Sequence, residues 1–211
     1  MEGDEGDVLI FHQQLKANAA ASRSTLEDLA RSQHSAVRSW VATVSPTVLG
    51  TPLSLEVLRP LLDDSHPDVR DAALESIVST DPDQARRLLP RIRKRLTSSD
   101  LWEPITALWT LARLKDVDSL PMIDDFARRS TRPWHVQDAA VVKLLLSGGS
   151  EEILHRLAGH DHDWTEPLAH AAGIIATPSA ELALQRCADA SPDSRCAETC
   201  RMALRNLQSR T

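Results

Sequence analysis

Hydrophobic residues recur every three or four positions along most of this chain, in short blocks that are separated by polar turns. The clearest blocks lie at 52–63 and 67–80, with apolar positions at Leu55, Leu58, Leu61 and Leu62 and then at Val69, Ala72, Ala73 and Ile77. This spacing is typical of amphipathic helices that bury one face. The second block opens with Pro67, which suits a helix start because a missing N–H costs nothing there. The pattern predicts a helical hairpin.

The turn of this hairpin recurs along the chain. Its sequence at 66–70 is preceded by a similar one at 34–38, and residues 136–141 restate residues 69–74. A fixed period of about 30 to 40 residues indicates stacked helix pairs, each of which buries its outer stripe against the next pair. We therefore predict a leading helix near 7–21, followed by about six helix pairs: 24–32 with 35–45, 52–63 with 67–80, 81–97 with 100–115, 118–129 with 133–147, 150–158 with 163–176, and 178–189 with 193–208.

Composition favours the same fold class. The 211 residues are 42% hydrophobic and 26% charged, which is enough to bury a sizeable core, and Tyr is absent while Phe occurs twice. Ala, Leu, Arg, Glu and Asp dominate, and this usage favours helix over strand. The sequence predicts a single all-α domain over 1–211 without strands.

The formal net charge is −6. An acidic chain repels nucleic-acid and lipid phosphates at long range, so nucleic acid is disfavoured as a partner and a protein with a basic surface is favoured. The acidic start at 1–7 lacks the basic flank of a signal peptide, and no segment is apolar for the roughly 20 residues of a membrane span. We expect a cytoplasmic protein without membrane contact that is a monomer in isolation.

Three cysteines lie towards the end of the sequence, at Cys187, Cys196 and Cys200. They have no zinc spacing and cannot all pair with one another, a pattern that favours a reducing compartment. Cys196 and Cys200 are four residues apart in a predicted helix and therefore share a face. We expect them to be a buried pair of small apolar side chains.

The recurring turns resemble those of the HEAT and HEAT-like repeat superfamily. Its short bacterial form places an Asp-rich turn, Pro and a Val-Arg dipeptide between two helices, and the match is strongest at 61–77. The resemblance implies a right-handed α-α superhelix that serves as a scaffold, and it specifies almost no chemistry. In the family, the Arg after the turn joins a polar ladder along the stack. Arg38 and Arg70 keep that Arg, whereas Trp102 and Gln137 replace it, so the resemblance implies a ladder interrupted after the second repeat.

Tryptophans recur at nearly the same spacing in the first turns of the predicted second helices. These residues are Trp102, Trp134 and Trp164, accompanied by Glu103, His135 and Glu166. One interpretation is an aromatic and acidic strip that anchors a partner protein, because exposed Trp is enriched at interfaces. The other is that each indole wedges between repeats, since most large aromatic side chains are highly buried. Trp40 and Trp109 lie inside helices on apolar stripes and are assigned to the core.

Six basic residues fall within ten positions on the predicted helix 81–97. They are Arg86, Arg87, Arg91, Arg93, Lys94 and Arg95. A stretch rich in Asp and Glu precedes them. They form a candidate patch for an anion or an acidic partner, or a solvated outer face that pairs with the neighbouring acids.

Several His and Asp side chains crowd the predicted turn within 155–170, but their spacing matches no recognised metal site, so we predict no metal. These residues are His155, His160, Asp161, His162, Asp163 and His170. HEAT-like di-iron hydroxylases use repeated His-Glu pairs, and the sequence contains no His-Glu dipeptide. No phosphate-binding loop or catalytic Ser or Cys motif is visible, so neither a cofactor nor catalysis is predicted.

Three classes of function are considered. The leading hypothesis is a non-catalytic protein-binding module, such as an adaptor, regulator or inhibitor, that uses the concave surface of its second helices. The alternative is a HEAT-like alkylpurine DNA glycosylase, a class of similar size whose concave Trp residues accompany a catalytic Asp. Trp102, Trp134 and Asp138 would take those roles. A HEAT-like bilin lyase is a third class, for which no residue signature is present.

Overall fold

A computed structural model describes residues 19–51, 53–159, 162–190 and 194–208 of the chain. All regular secondary structure within these ranges is helical, with thirteen α-helices, two short 3₁₀ turns and no strand. This confirms the predicted all-α class. The predicted leading helix near 7–21 lies outside the described residues except for 19–21, which belong to the first helix observed.

The residue contacts group into two compact units, Met1–Pro90 and Arg91–Thr211. The first contains α1 (Ala19–Leu29), α2 (Ser35–Leu49), α3 (Leu53–Leu61), α4 (Pro67–Thr80) and α5 (Pro82–Arg87). Helix α6 (Leu89–Arg95) spans the boundary. The second contains α7 (Glu103–Arg113), α8 (Leu120–Arg129), α9 (Pro133–Leu146), α10 (Ser150–Ala158), α11 (Thr165–Ile175), α12 (Pro178–Ala190) and α13 (Arg195–Gln208), with 3₁₀ turns at Val117–Ser119 and His162–Trp164.

The predicted helix 81–97 is wrong as a single element, because it is broken into α5 and α6. In a continuous helix the N–H of residue 90 would bond to the carbonyl of Arg86, but Pro90 has no N–H and its ring crowds that carbonyl. The chain instead tightens before the proline, where the Leu88 N–H donates to the Ala85 carbonyl at 2.9 Å. Helix α6 then restarts with Pro90 in its first turn, a position that tolerates proline.

In the first unit, α2 packs along α4, α3 packs against both, and α1 lies on α2. The apolar stripes predicted from the sequence meet in this core. Leu26, Val41, Leu58, Val69 and Leu74 are each 1% exposed or less. Removal of these side chains from water is the main favourable contribution to the stability of this unit.

In the second unit, α8 packs on α9, α10 on α11 and α12 on α13. The second helices of successive pairs also contact one another, α7 with α9, α9 with α11, and α11 with α13. Small residues allow these close approaches, since Ala139, Ala169 and Ala172 are fully buried. The start of each of these helices is thereby held close to the start of the next.

Cys187 on α12 and Cys200 on α13 form a disulfide, with Sγ atoms 2.29 Å apart and Cα atoms 6.2 Å apart. Cys196 is partly buried and is not a member of this bond. The expectation that Cys196 and Cys200 form a buried thiol pair is therefore wrong. The reason is that the packing of α12 on α13 brings a cysteine from another helix to Cys200, which spacing along one helix does not reveal.

None of the helices in the described ranges is both long and apolar enough to cross a bilayer.

Candidate functional site

Two of the three predicted tryptophans come together on the second unit. Trp102 occupies the N-cap of α7 and Trp134 is the second residue of α9. Their ring centroids are 5.0 Å apart with the planes tilted by 39°. Trp102 is 57% exposed, whereas Trp134 is partly buried. We call these two residues the aromatic pair.

Local hydrogen bonds fix Trp102 at the start of α7. Asp100 Oδ1 accepts the backbone N–H groups of Trp102 and Glu103 at 2.9 and 3.0 Å, as an N-capping acid does. The Glu103 side chain takes part in a related arrangement that resembles a capping box, through Ser98. Ser98 Oγ accepts the Asp100 N–H at 3.2 Å and donates to Glu103 Oε2 at 2.6 Å.

Glu103 and His135 are interior residues. Glu103 is 7% exposed and its Oε1 lies 3.7 Å from the Nε of Arg95, which is itself 7% exposed. Both residues were predicted to lie in a partner-binding strip, and their burial removes them from direct contact with a partner. Their placement follows from the turns, which direct the first side chain after each Trp inward.

His135 holds the aromatic pair together. Its Nε2 lies 3.2 Å from the Leu101 carbonyl, which can only accept, so Nε2 carries the proton and Nδ1 accepts from the Ser130 hydroxyl at 3.0 Å. Burial lowers the pKa of His135, which favours this neutral form. Because Leu101 precedes Trp102 and His135 follows Trp134, this link fixes the spacing of the two indoles.

The third predicted tryptophan is placed differently. Trp164 is partly buried, and the guanidinium of Arg156 lies over its ring, 4.8 Å from the centroid. This is a cation–π arrangement within one helical hairpin. Glu166, in the first turn of α11, is exposed.

A second group lies on the same second helices and brings together residues for which the sequence predicted separate roles. Trp109 Nε1 donates to Asp138 Oδ1 at 3.1 Å, and its ring stacks on His170 with centroids 4.2 Å apart and planes within 5° of parallel. Burial raises the pKa of Asp138 to about 6; the Trp109 hydrogen bond lowers it, and the Glu166 charge raises it further. We call Trp109, Asp138, Glu166 and His170 the acid–aromatic cluster. Asp138 lies one helical turn after Trp134 on α9, so the cluster continues from the aromatic pair.

The raised pKa of Asp138 makes stability depend on pH. Between the ordinary value of 3.8 and the folded value of about 6, the folded state binds more protons than the unfolded state. The contribution of Asp138 to the free energy of unfolding is therefore expected to fall as pH rises through this window. The substitution Asp138→Asn keeps a side-chain oxygen that can accept the Trp109 indole N–H. It removes the ionisable carboxyl group and with it this dependence of stability on pH. The variant should be more stable than the wild type at pH 7, with no such gain below about pH 4.

Thermal melts from pH 3.5 to pH 7.5 measure this difference. Asp163→Asn is the matched control, because Asp163 is exposed and the substitution removes the same charge. Equal stability of the Asp138→Asn variant and the wild type at pH 7 would show that the carboxylate is not destabilising.

Arg38 and Gln137, two of the positions after the recurring turns, each bond to a residue 26 positions further along the chain. Arg38 donates from Nε and Nη2 to both oxygens of Asp64, at 2.6 and 2.7 Å, and this hydrogen bonding lowers the pKa of Asp64. Gln137 Nε2 donates to the Asp163 carbonyl at 3.2 Å, at the same sequence separation. The first contact uses a guanidinium and a carboxylate, and the second uses an amide and a backbone carbonyl.

The six predicted basic residues differ in their surroundings and in their exposure. They lie on α5 and α6 and are divided between the two units. Arg95 is buried, Arg93 binds both carboxylate oxygens of buried Asp116 at 2.5 and 2.8 Å, and Arg86 pairs with Asp83 at 2.5 Å. Arg91 is partly buried, while Arg87 and Lys94 are exposed. The break at Pro90 and these internal ion pairs account for the difference.

No metal-binding arrangement is found in the described ranges, where no three His, Cys, Asp or Glu side chains are placed to hold an ion. His160, Asp161 and the side chain of His162 lie outside those ranges. His155 is exposed, and His170 belongs to the acid–aromatic cluster.

Comparison with known proteins shows no family. No protein-family model matches the chain. No curated protein matches it either. Among solved structures, the crystal structure of an engineered protein from the Northeast Structural Genomics Consortium is 21% identical, over 89% of this chain and 96% of that one, with a TM-score of 0.40.

Proposed function

We propose that this protein is a non-catalytic protein-binding module whose second unit recognises another protein through the aromatic pair and the acid–aromatic cluster. The observation that carries the proposal is the exposure of Trp102 beside Trp134. Large exposed indoles are enriched among the residues that dominate binding energy. The backbone around Trp102 is held by Asp100 and His135, so this segment loses little further freedom on binding, which favours affinity.

The face suits a partner with basic side chains. Asp138 and Glu166 place two carboxylates beside aromatic rings, and the whole chain carries a net charge of −6. Asp138 is largely desolvated, and the indole N–H of Trp109 is a neutral donor. A Lys or Arg side chain from the partner would compensate this carboxylate and lower its pKa.

The proposal includes a HEAT-like arrangement of the helix pairs into a right-handed superhelix of about six pairs. Its support is the succession of contacts from α7 through α9 and α11 to α13 and, in the first unit, the contact of α2 with α4. In such repeats the second helices line a concave surface, which suits the recognition of an extended partner.

Replacement of Trp102 by Ala is expected to weaken partner binding by about 2 kcal/mol or more, because an anchor indole is lost. Stability should change by no more than about 1 kcal/mol, since the side chain is mostly exposed. Trp134→Ala should cost more stability because Trp134 is partly buried. Thermal melts give the stabilities, and capture from the native host with the full chain as bait gives the binding.

Met122→Ala is the control for this experiment, since Met122 is a large apolar side chain that is 47% exposed on α8. A specific partner should be captured by the wild type and the Met122→Ala variant and lost with Trp102→Ala. If Trp102→Ala unfolds the protein, or if every variant retains the same proteins, the aromatic pair is not the binding surface.

The DNA glycosylase is the second candidate, because Asp138 lies near Trp109 and one helical turn from Trp134, as a catalytic Asp flanked by aromatic side chains requires. The net charge of −6 disfavours this function, since phosphate attraction dominates affinity for DNA. Mobility shift of alkylated duplex DNA at low salt, with release of alkylated base that is lost in Asp138→Asn, would establish it. If neither the mobility shift nor the release of alkylated base is observed, the DNA glycosylase is excluded and protein binding stays the proposed function.

We further propose a cytoplasmic, monomeric protein, since a net charge of −6 favours a chain that stays dissolved and does not self-associate. Disulfides are rare in the cytosol, so the state of Cys187 and Cys200 in cells tests the location. Alkylation of both thiols in a rapidly quenched lysate supports the cytoplasm, whereas a protected, oxidised pair points to an oxidising compartment.

A further inference from the structure

A cavity of about 380 Å³ lies in the second unit beside the aromatic pair. It is bounded by residues 96–101, before α7, and residues 129–132, between α8 and α9. Polar groups dominate one side, with Arg129, Arg132, Ser99 and Thr131, while Leu101 and Phe126 supply apolar walls. Neither the aromatic pair nor the acid–aromatic cluster accounts for this cavity.

Within the described ranges, some of the hydrogen-bond donors that line the cavity already have partners within the protein, and others do not. Ser98 donates to Glu103 and Ser130 bonds to His135, so these two hydroxyls are occupied. The Nε of Arg129 bonds to Asp125, which leaves its outer edge available. In the part of the chain that the structure describes, no carboxylate lies within ion-pair distance of Arg132. Asp100 also lines the cavity, but its Oδ1 accepts the Trp102 and Glu103 N–H groups at the start of α7. The guanidinium of Arg132 is thus not ion-paired to this carboxylate.

Arg132 lies at the position before α9 that Asp100 occupies before α7. Residues 130–135 align with residues 98–103 through Ser130 with Ser98 and Trp134 with Trp102, while the other positions differ. Asp100, whose carboxylate caps α7, is matched by Arg132. Arg132 is the N-cap of α9, and its own side chain makes no capping hydrogen bond to this helix. At the N-terminal end of α9, where the helix dipole is positive, the chain therefore has the cation Arg132 at the position where α7 has the acid Asp100.

We propose that this cavity binds a phosphate group, either free or as the phosphate ester of a small molecule. Arg132 and the outer edge of Arg129 donate charge-assisted hydrogen bonds to phosphate oxygens, and the hydroxyls of Ser99 and Thr131 add neutral donors. The start of α9 completes the positive environment, in the role that Asp100 fills for α7. Leu101 and Phe126 contact the organic part of an ester. This site is additional to the proposed protein-binding face and does not depend on it.

Calorimetric titration of the full chain at constant ionic strength tests the proposal, with inorganic phosphate, phenyl phosphate and benzoate as probes. We expect phosphate and phenyl phosphate to bind, and Arg132→Ala to weaken both by about tenfold or more, since a hydrogen bond to a charged group is lost. Tighter binding of phenyl phosphate assigns the site to an ester, and equal binding of the two assigns it to free phosphate. Benzoate binding as tightly as phenyl phosphate would overturn the choice of phosphate.

Two variants keep the result interpretable. Arg128→Ala removes the same charge from an exposed position on α8 outside the lining, and it should bind as the wild type does. Arg132→Asp restores the acid found at Asp100, so it should fold with a capped α9 and lose phosphate binding. No binding by the wild type, retained binding by Arg132→Asp, or an equal loss with Arg128→Ala would overturn the proposal. Because no partner protein is used, this outcome is independent of the proposed protein binding.

Discussion

Replacing Leu58 by Ala is expected to lower the free energy of unfolding of the first unit by about 2–5 kcal/mol, because the side chain is fully buried and its removal leaves a cavity. Contacts in repeat-like helical arrays are local, so the loss should be concentrated in α1–α5. Hydrogen exchange followed by mass spectrometry should show lost protection in residues before Pro90. The second unit should keep the protection of the wild type.

Leu182→Ala is the matched control, because it makes the same chemical change at a leucine that is 52% exposed. It should cost less than about 1 kcal/mol. A uniform loss of protection in both units with Leu58→Ala would show that the chain unfolds as one cooperative body.

Replacing Asp116 by Ala is expected to cost about 3–5 kcal/mol, since it leaves the guanidinium of Arg93 largely buried without its partner. Asp116 has a side-chain exposure of only 5%, and both its carboxylate oxygens accept from Arg93. Its backbone carbonyl accepts the buried Ser119 hydroxyl at 2.6 Å, a bond that the substitution leaves in place, so the expected cost comes from the ion pair. Chemical denaturation measures the change.

Asp118 provides the comparison for this experiment, because its carboxylate also lies 3.6 Å from Arg93 but is 88% exposed. Asp118→Ala should change stability by less than about 1 kcal/mol, as expected of a solvent-screened ion pair. Similar costs for the two substitutions would show that burial does not decide the strength of this pair.

Much of the helical layout could be predicted from the sequence, since the turns carry Pro, Asp and Ser at fixed offsets from apolar stripes. The predicted second helix at 67–80 matches α4, and 150–158 matches α10, at both ends. The helix 81–97 was predicted as one element because its charges and apolar residues keep a helical period through Pro90. Local proline geometry overrode that period.

The candidate site was less predictable, because it depends on neighbours from other helices. The spacing of Trp102 and Trp134 brought them to one face, but their exposures differ, since only Trp134 is sheltered by its surroundings. Trp109 is buried, as predicted. Its indole N–H, however, donates to Asp138 on another helix, and the sequence did not predict this contact. Arg and Glu side chains are exposed in most proteins, so the sequence predicts that Arg95 and Glu103 are exposed. Both are buried in the structure, where each lies close to the opposite charge of the other.

The Cys187–Cys200 disulfide has a consequence for proteolysis. It closes a covalent ring that contains the end of α12, the connection to α13 and the first turn of α13. Cleavage of any peptide bond within this ring leaves the two fragments joined, so α13 stays tethered beside α12 after a protease has cut. Only reduction of the disulfide releases the C-terminal helix. A nicked chain would therefore migrate as intact protein on a non-reducing gel and as two pieces on a reducing one.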